Sequence, residues 1–390
     1  MSGIAGYSTV HAAGVDNADS WQSVVAGKTG LAPNSLSWCD LPCWVGEVAG
    51  VDDSPLPAEL AAWECRSHRL AWMALQRNHF REAVQAAIAR YGAHRVGVVL
   101  GTSTSGTRST ELAYGRRRAD GQWPDDYDYR HTHSIDALCR FSAEALGTQG
   151  PMVAISTACS SSTKVFVTAQ RWIDCGLIDA AVVGGVDSLC LSTLYGFNSL
   201  QLLSGEPCRP FDAARNGISI GEAAGFVLLD KEAAAINFVG GGESSDAWHM
   251  STPHPEGLGA QQAMQAALKA AQLSAADIGY VNAHGTATLA NDRAEAHATN
   301  TVFGAGAVAV SSTKGVTGHA LGAAGITEAI VVIQALEHQA LPPSANLHEP
   351  EPGLGLDLVT QARSTSLRYA MSNNFGFGGT NCSLIFGREK

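Results

Sequence analysis

The chain has few charged residues, 16%, and few aromatic residues, 7%, among its 390 positions. No apolar run approaches the roughly 20 residues that a membrane-spanning helix needs, so we expect no membrane span. No basic run of the nucleic-acid-binding type is present, and the formal net charge is −11, which excludes nucleic acid as an expected partner. The first thirty residues lack a basic segment followed by an apolar core. We therefore expect no signal peptide and a cytoplasmic location.

The nine cysteines are odd in number and irregularly spaced, which indicates reduced thiols rather than a disulfide framework. Cys39, Cys43 and Cys65 fit no common zinc spacing, so we expect no metal. The glycine-rich stretch Asn374–Asn381 is not followed by a helical pattern, which disfavours phosphate binding. We expect no cofactor. With 45% hydrophobic residues and 42 glycines, the chain can bury a large, closely packed core.

One apolar run ends at a cysteine. Met152–Thr163 reads as a buried strand that stops at Cys159 among small polar residues, and Lys164–Cys175 has helical spacing. The pattern predicts Cys159 at a turn before a helix. The unpaired N–H groups and partial positive charge of a helix start favour the nucleophilic thiolate. The alternative is a buried structural cysteine, since free cysteine is among the most buried residue types.

The order of strand, turn and helix occurs twice along the chain. The matching segments pair Arg95–Leu100 with Ile278–Ala283, Val153–Thr157 with Val308–Ser312, and Ala181–Gly185 with Ala370–Asn374. This repeat predicts two related α/β halves, residues 1–235 and 236–390. Related halves that pack face to face bring their turns to one cleft. Cys159, His284 and the loop from Lys314 to His319 would then meet there.

Three motifs of the second half carry reactive or polar groups in turns of small residues. His284 ends a predicted strand, and Lys314 and His319 flank two glycines. A nearby cation would keep an imidazole neutral. The turn Asn374–Asn381 could point backbone N–H groups at an oxyanion, or it could be a tight hairpin. Taken singly, a core histidine and a surface lysine remain the alternatives. Together these groups indicate a cysteine acyl-transfer site.

The motifs closely resemble those of the β-ketoacyl-acyl-carrier-protein synthases of the elongating Cys-His-His type. The segments concerned are Thr157–Ser162, Asn282–Thr286, Ser311–His319, Gly322–Gly325 and Asn374–Asn381. The resemblance covers nearly the whole chain and keeps the order of the motifs. It implies a thiolase-like fold layered αβαβα, an acyl carrier protein as partner, and a homodimer or a heterodimer with a related ketosynthase or chain-length factor.

The resemblance also implies roles for individual residues. Cys159 would carry the acyl chain, while His284 and His319 would stabilise the enolate that forms as malonyl carrier protein loses CO2. The backbone N–H groups of Cys159 and Phe377 would hold the oxyanion, and Lys314 would order the site. Glu328 would pair with Lys314, and Asp292 and Glu295 would have structural roles. Asp246, His249 and Phe375 would line the malonyl side of the site. Phe377 would act as a gate for the malonyl substrate.

Two features concern the substrate and the partner. Thr104, in the turn Gly101–Gly106, stands near the position that closes the family's acyl pocket, and it favours an aryl polyene or polyketide pathway over core fatty-acid elongation. Arg66 and Arg69 are the expected basic dock for an acidic carrier protein, with Arg116–Arg118 and Arg130 as further candidates.

Two other functions remain as alternatives. A non-catalytic chain-length-factor-like subunit would lack the cysteine, so Cys159 argues against it. A thiolase would carry a second catalytic cysteine near the C-terminus, and Cys382 does not match that position.

Overall fold

The computed structural model describes residues 1–389, which form a mixed α/β fold around a large sheet. Its strands are β1 Ser2–His11, β2 Ala32–Pro33, β3 Trp44–Gly46, β4 Val96–Gly101, β5 Met152–Ile155, β6 Ala180–Asp187, β7 Ile220–Gly221, β8 Ala223–Asp230, β9 Ile236–Ser245, β10 Tyr280–Asn282, β11 Ala309–Ser311, β12 Ala340–Leu341, β13 Asp357–Leu358, β14 Arg363–Ser364, β15 Tyr369–Gly376 and β16 Thr380–Arg388.

The α-helices lie between these strands. They are α1 Asn17–Val25, α2 Arg66–Leu75, α3 Phe80–Tyr91, α4 Thr107–Gly115, α5 Tyr129–Thr132, α6 Ala137–Leu146, α7 Ser161–Asp174, α8 Leu191–Ser199, α9 Leu258–Ala271, α10 Leu289–Phe303, α11 Lys314–Thr317 and α12 Ala324–His338. No helix within residues 1–389 combines the length and the apolar character needed to cross a membrane.

The strand order repeats from the centre of the sheet outward. One side runs β1-β8-β6-β4-β5 and the other runs β9-β16-β15-β10-β11, followed by β13. The two sides join where β1 pairs with β9, at Ser2 with Phe238 and Gly3 with Asn237. Every segment pair that matched in sequence occupies an equivalent place: β4 with β10, β5 with β11, and β6 with β15. The predicted relationship between the halves is thus visible in the topology.

Helices α7 and α12 form the middle layer of the molecule. They contact each other and strands of both halves, while α2, α3 and α6 pack on the first half and α9 packs on the second. The layers therefore follow the predicted αβαβα order. Every residue of α12 from Ala324 to Leu336 is buried, as expected for a helix with protein on all sides. The two helices cross closely, because a Cβ on Gly325 would overlap the Thr163 side chain.

Two elements differ from the sequence prediction because small residues mask their pattern. The start of the chain reads as a glycine-rich turn but forms the ten-residue strand β1. Its Gly3 packs against the backbone at Glu232, where a Cβ would clash. Helix α8 was not predicted, since Leu191–Ser199 mixes apolar residues with serine, threonine, asparagine and glycine. In both elements, tertiary packing outweighs local propensity.

Candidate active site

Cys159 lies on a sharp turn between β5 and α7, as predicted. Ala158 adopts a positive φ of 53°, an uncommon conformation for a residue with a Cβ. Serine hydroxyls hold the turn: Ser160 Oγ donates to the carbonyl of Thr157 at 2.9 Å, and Ser161 Oγ donates to that of Ala158 at 2.6 Å. The run of small polar residues after the cysteine therefore builds the strained turn that presents the thiol.

His319 lies directly against the thiol. Its Nε2 is 3.0 Å from Cys159 Sγ, and its Nδ1 accepts a hydrogen bond from the Leu321 N–H at 3.3 Å. Its backbone N–H donates to Ser219 at 2.8 Å, and its carbonyl accepts from Gly221 at 3.0 Å, so strand-like pairing with the first half fixes the loop. Because Nδ1 is an acceptor, the proton of the neutral ring is assigned to Nε2, which points at the sulfur.

His284 follows β10, and its turn is held by one acidic side chain, Glu295, and one basic side chain, Lys314. Glu295 accepts the backbone N–H groups of His284 at 2.8 Å and of Gly285 at 2.7 Å. The Lys314 ammonium lies 3.3 Å from Nδ1 of His284 and 2.5 Å from its carbonyl oxygen. Since the ammonium can only donate, Nδ1 accepts and the ring proton is assigned to Nε2. The His284 and His319 rings stand 5.4 Å apart and nearly perpendicular, at 85°.

Both imidazoles are held neutral. Burial lowers the pKa of His284 and of His319 well below the usual value, and the Lys314 charge lowers both further. A neutral ring with its proton on Nε2 donates one hydrogen bond without adding positive charge. The predicted effect of a cation beside these histidines therefore matches the geometry.

The Cys159 thiol differs from the prediction. Burial raises its pKa to about 11, although the Lys314 charge and the backbone N–H groups of Phe377 and Cys159 act in the opposite direction. The backbone N–H at the helix start favours the thiolate, as expected, but desolvation of the sulfur outweighs it. The same N–H groups are those that the sequence assigned to an oxyanion hole.

A buried chain of polar groups connects Lys314 to the first half of the molecule. The Lys314 ammonium pairs with Glu328 Oε1. Asn374 Nδ2 donates to Glu328 Oε2 at 2.6 Å, and Thr163 Oγ1 donates to Asn374 Oδ1 at 2.7 Å. Burial raises the pKa of Glu328, and Lys314 opposes that shift. The sequence predicted the Lys314–Glu328 pair, but not the link through Asn374 to Thr163.

The glycine-rich turn after β15 closes one side of the site. Gly378 and Gly379 have φ values of 80° and 77°, where side chains other than glycine are strained. The turn contacts the loop that was predicted on the malonyl side: the Asp246 N–H donates to Gly379 at 3.1 Å, and the Gly378 N–H donates to Met250 at 2.9 Å. The loop and the turn are therefore joined by backbone hydrogen bonds in both directions.

A cavity of about 400 Å³ opens onto the thiol. Its walls include the predicted residues Cys159, His284, His319, Phe375, Phe377, Asp246 and His249. Phe375 packs 6.0 Å from the His284 ring and Phe377 packs 5.5 Å from the Phe197 ring, measured between centroids. The cavity thus brings together groups from both halves, as the repeat predicted.

Asp292 and Glu295 are buried, and each accepts backbone N–H groups beside the cavity. Asp292 accepts the Phe211 N–H at 2.8 Å and pairs with the buried Arg215 at 3.1 Å. Glu295 holds the turn of His284, and burial raises its pKa to about 7. Both carboxylates fix backbone next to the cavity.

The predicted acyl-pocket wall at Thr104 is not part of this cavity. Thr104 is buried, and its hydroxyl donates to Asp187 Oδ1 at 2.8 Å. Asp187 also accepts the Thr102 hydroxyl at 2.6 Å, the Thr104 N–H at 2.8 Å and the Gly322 N–H at 2.6 Å. It therefore fastens the loop of His319 to the first half. Asp187 is not among the residues predicted from the sequence, where its signal is an acid at the end of an apolar strand.

The predicted dock at Arg66 is wrong, and Arg69 gains no support as part of one. The Arg66 side chain is only 9% exposed, and it pairs with Glu222 at 2.7 Å, Asp52 at 2.7 Å and Glu47 at 3.0 Å. Arg69 pairs with Glu64 at 2.5 Å. Neither guanidinium is free to attract an acidic partner.

The three reactive groups also form a donor set that could hold a metal. One ligand atom from each of Cys159, His284 and His319 lies within 4.8 Å of the others, and thiolate with imidazole is a preferred set for Zn²⁺. The Lys314 ammonium beside His284 opposes a divalent cation in that place. The protonated Nε2 atoms suit hydrogen-bond donation instead.

A thiol that can carry an acyl group, two neutral imidazole donors and backbone N–H groups at the sulfur define a condensing acyltransferase of thiolase-like fold. Two family models match the chain: "Beta-ketoacyl synthase, N-terminal domain" over residues 3–235 and "Beta-ketoacyl synthase, C-terminal domain" over 236–348. The chain belongs to the beta-ketoacyl synthase family.

Named relatives and solved structures agree with this assignment. The chain is 39% identical over 316 residues to 3-oxoacyl-[acyl-carrier-protein] synthase 2 of Vibrio cholerae, covering 76% of each chain. It is 32% identical to the Coxiella burnetii protein of the same name, over 99% of this chain and 98% of the relative. A ketosynthase, ApeO, solved in complex with its chain length factor, ApeC, from Xenorhabdus doucetiae superposes with a TM-score of 0.91 at 38% identity, covering 100% and 98% of the two chains.

Proposed function

We propose that the chain is a β-ketoacyl-acyl-carrier-protein synthase, which condenses malonyl carrier protein with an acyl group bound to Cys159. The observation that carries this proposal is the placement of His319 Nε2 at 3.0 Å from Sγ, with the His284 ring perpendicular to it 5.4 Å away. Two N–H donors converge beside one nucleophile. That geometry suits an enolate formed next to an acyl thioester.

In the first half-reaction the Cys159 sulfur attacks the acyl thioester of the carrier. The new C–S bond to Cys159 replaces the C–S bond to the carrier, and the carrier leaves as its thiol with the proton that Cys159 gives up. The backbone N–H groups of Cys159 and Phe377 stabilise the tetrahedral oxyanion. Because burial raises the thiol pKa to about 11, the sulfur loses its proton in the course of attack.

In the second half-reaction malonyl carrier protein occupies the same cavity. Its C–C bond to the carboxylate breaks, CO2 leaves, and the electron pair forms an enolate whose oxygen accepts the Nε2–H groups of His284 and His319. The enolate carbon then attacks the acyl carbon on Cys159. The C–S bond breaks, the sulfur leaves as thiolate and takes up one proton, and 3-oxoacyl carrier protein is released.

Lys314 and Glu328 act on this chemistry through the histidines. The ammonium holds Nδ1 of His284 as an acceptor and disfavours the imidazolium, so the ring stays neutral with its proton on Nε2 and donates to the enolate from there. Glu328 balances the buried ammonium, since an unpaired buried charge would be costly. Asp246, His249, Phe375 and Phe377 line the malonyl side, and the contacts between their loop and turn suit a gate.

The dimer is proposed from the free edge of the sheet. Within residues 1–389, strand β5 pairs only with β4 and ends the sheet order, and its Met152 is exposed. An unpaired edge strand is a template for pairing with a second strand. The partner is a second copy or a related chain-length factor. The similarity to a ketosynthase solved with its chain length factor supports the second choice. An aryl polyene or polyketide pathway, rather than core fatty-acid elongation, stays part of the proposal.

Two further assignments complete the proposal. The halves divide at residues 235 and 236, where the matches of the two family models meet. A cytoplasmic location is supported by the nine free cysteines among the described residues, a number that suits a reducing compartment.

Intact-mass analysis tests the reaction. Incubation with acyl carrier protein bearing an acyl group should add the acyl mass to the wild type, and malonyl carrier protein should then release it as 3-oxoacyl carrier protein. Cys159→Ala should gain no acyl mass, and acylation of that variant would refute the mechanism. Co-purification with a related chain-length factor tests the proposed partner. Comparison of polyenoyl with saturated substrates tests the pathway, and equal or better use of saturated chains would reject the polyene or polyketide assignment.

A further inference from the structure

Helix α8 forms part of the wall of the active-site cavity. Its Phe197 lines the cavity, and the Phe197 ring packs 5.5 Å from the Phe377 ring, measured between centroids. Leu200, at the C-cap of the helix, and Gln201 line the same cavity. The position of α8 therefore decides how closely the two aromatic rings pack at the cavity wall.

The sequence of α8 does little to hold the helix in place. The helix has nine residues and mixes serine, threonine, asparagine and glycine with apolar residues, and so short a segment is marginal as an isolated helix. Across residues 191–199, Leu194 alone is buried. Cys190 is the N-cap residue, in an extended conformation, but its side chain makes no capping hydrogen bond within residues 191–199. The N–H groups of the first turn therefore need acceptors from elsewhere in the chain.

Glu111, on helix α4, supplies those acceptors. Its Oε1 accepts the Ser192 N–H and the Ser192 hydroxyl, both at 2.7 Å, and its Oε2 accepts the Leu191 N–H at 3.0 Å. A carboxylate stabilises a helix start because it satisfies N–H groups without a partner in the helix and complements the positive end of the helix dipole. Glu111 thus caps α8 from a different helix.

The Glu111 side chain is itself held in place. It is 12% exposed, and Arg108 Nη1 donates to its Oε2 at 3.3 Å. The Arg108 guanidinium lies 4.0 Å from the centre of the Trp38 ring, a cation–π contact. Trp38 packs against the apolar cluster that contains Leu194 of α8. These contacts fix the carboxylate in the orientation that reaches α8.

We propose that Glu111 is a positioning residue for the condensation: by capping α8 it keeps Phe197 against Phe377, and the two rings keep water from the enolate. The inference rests on the proposed function, in which an enolate forms in this cavity beside the acyl thioester of Cys159. That enolate has two fates. Its carbon can attack the acyl carbon, or it can take a proton from water, which gives acetyl carrier protein and hydroxide. Exclusion of water favours the first fate.

The ratio of acetyl to 3-oxoacyl carrier protein tests this role. Enzyme that is fully acylated on Cys159 is given a limiting amount of malonyl carrier protein, and both products are measured by mass spectrometry. Glu111→Gln should raise the ratio about fivefold, the change in population that the loss of one helix cap typically brings. An amide has one acceptor oxygen and no charge, so it cannot accept both backbone N–H groups. Unfolded enzyme forms neither product, so a loss of folded protein leaves the ratio unchanged.

Asp16→Asn is the matched control. Asp16 caps α1 by accepting the Asp19 N–H at 2.9 Å, and none of residues 16–25 lines the cavity. Both variants weaken a helix cap and should lose similar stability in urea. The product ratio of Asp16→Asn should equal that of the wild type. An equal rise of the ratio in the two variants would overturn the proposal, since it would follow from a general loosening of the fold.

A second substitution tests whether the effect passes through α8. Cys190→Ser places a preferred N-cap residue before the helix, where the backbone is already extended. In the Glu111→Gln background it should return the product ratio to within about twofold of the wild type. A ratio that stays high in the double variant would overturn the proposal, and so would an unchanged ratio in Glu111→Gln alone.

Failure of the proposed function gives a different result. A wild-type enzyme that forms no 3-oxoacyl carrier protein would reject the condensation itself, whatever the variants do. A wild type that condenses, with a Glu111→Gln variant whose oligomeric state changes in light scattering, would place Glu111 at a contact between subunits and overturn the inference alone.

Discussion

The Lys314 ammonium lies 3.3 Å from Nδ1 of His284, on the side of the ring opposite the atom that faces the cavity. The contact sets the tautomer of His284 and, through its charge, lowers the pKa of both histidines. One buried cation thus prepares two hydrogen-bond donors. The same ammonium also opposes the burial effect on the Cys159 thiol.

Replacement of Lys314 should shift the acid limb of the pH profile. In the wild type, both histidines should stay neutral at pH values well below about 6.5, the ordinary pKa of histidine. The rate of decarboxylation should therefore stay constant to a lower pH than an ordinary histidine would allow. In Lys314→Met the pKa of both rings rises, imidazolium forms as the pH falls through the new value, and activity is lost earlier. Lys314→Met with Glu328→Gln is the control, since it leaves no buried carboxylate unpaired. Release of CO2 from malonyl carrier protein measures the effect, and superimposable acid limbs would contradict it.

Alkylation of Cys159 should rise steeply with pH. A thiol with a pKa of about 11 is almost wholly protonated at neutral pH, so its rate with iodoacetamide should increase about tenfold per pH unit up to about pH 10. The measurement belongs in a Cys175→Ser background, because Cys175 is the exposed cysteine among the nine. Cys159→Ala in that background gives the blank. A rate that levels off near pH 7 would mean that the resting group is a thiolate.

Asp187→Asn should destabilise the protein and slow the reaction. The carboxylate accepts hydrogen bonds from Thr102, Ser103, Thr104 and Gly322, and an amide replaces one acceptor with a donor. We expect a loss of about 1–3 kcal/mol in the free energy of unfolding by urea. kcat should fall while KM stays unchanged, because the hydrogen bond that fixes the His319 loop to Asp187 is weakened. Asp179→Asn, which weakens two partly exposed ion pairs, with Arg95 and Lys231, is the control and should cost less than about 1 kcal/mol per pair.

The conformation of Ala158 predicts opposite effects for two substitutions. At a φ of 53°, Ala158→Gly should relieve strain, whereas Ala158→Val should add about 1–3 kcal/mol of it. Urea unfolding measures stability, and acylation by a small thioester measures the presentation of Cys159. Equal stability of the two variants would show that the turn relaxes freely.

The parts of the site that the sequence predicted lie in short motifs. Cys159, His284 and Lys314 each follow a strand-like segment, and His319 lies in the loop that starts at Lys314. The repeat of the two halves placed those strand ends together. The hydrogen bond from Thr163 to Asn374 and the tether at Asp187 depend on partners far apart in sequence, and no local pattern reveals them.

Burial accounts for the main errors. The pKa of the Cys159 thiol is set by desolvation, which a motif does not encode, and Arg66 is withdrawn from solvent by three carboxylates that a charge count treats as independent. Strand β1 was missed because its small residues conceal the alternation of a strand, although that strand joins the halves at the centre of the sheet.

The hydrogen bond between Thr163 and Asn374 has a consequence for fragments of the chain. It joins a helix of the first half to a strand end of the second, and the polar chain beyond it reaches the cation behind His284. A chain cut between β8 and β9 would yield two pieces, neither of which holds a nucleophile together with its hydrogen-bond donors. Catalytic turnover would then serve as a complementation assay, appearing only when the pieces reassociate in register.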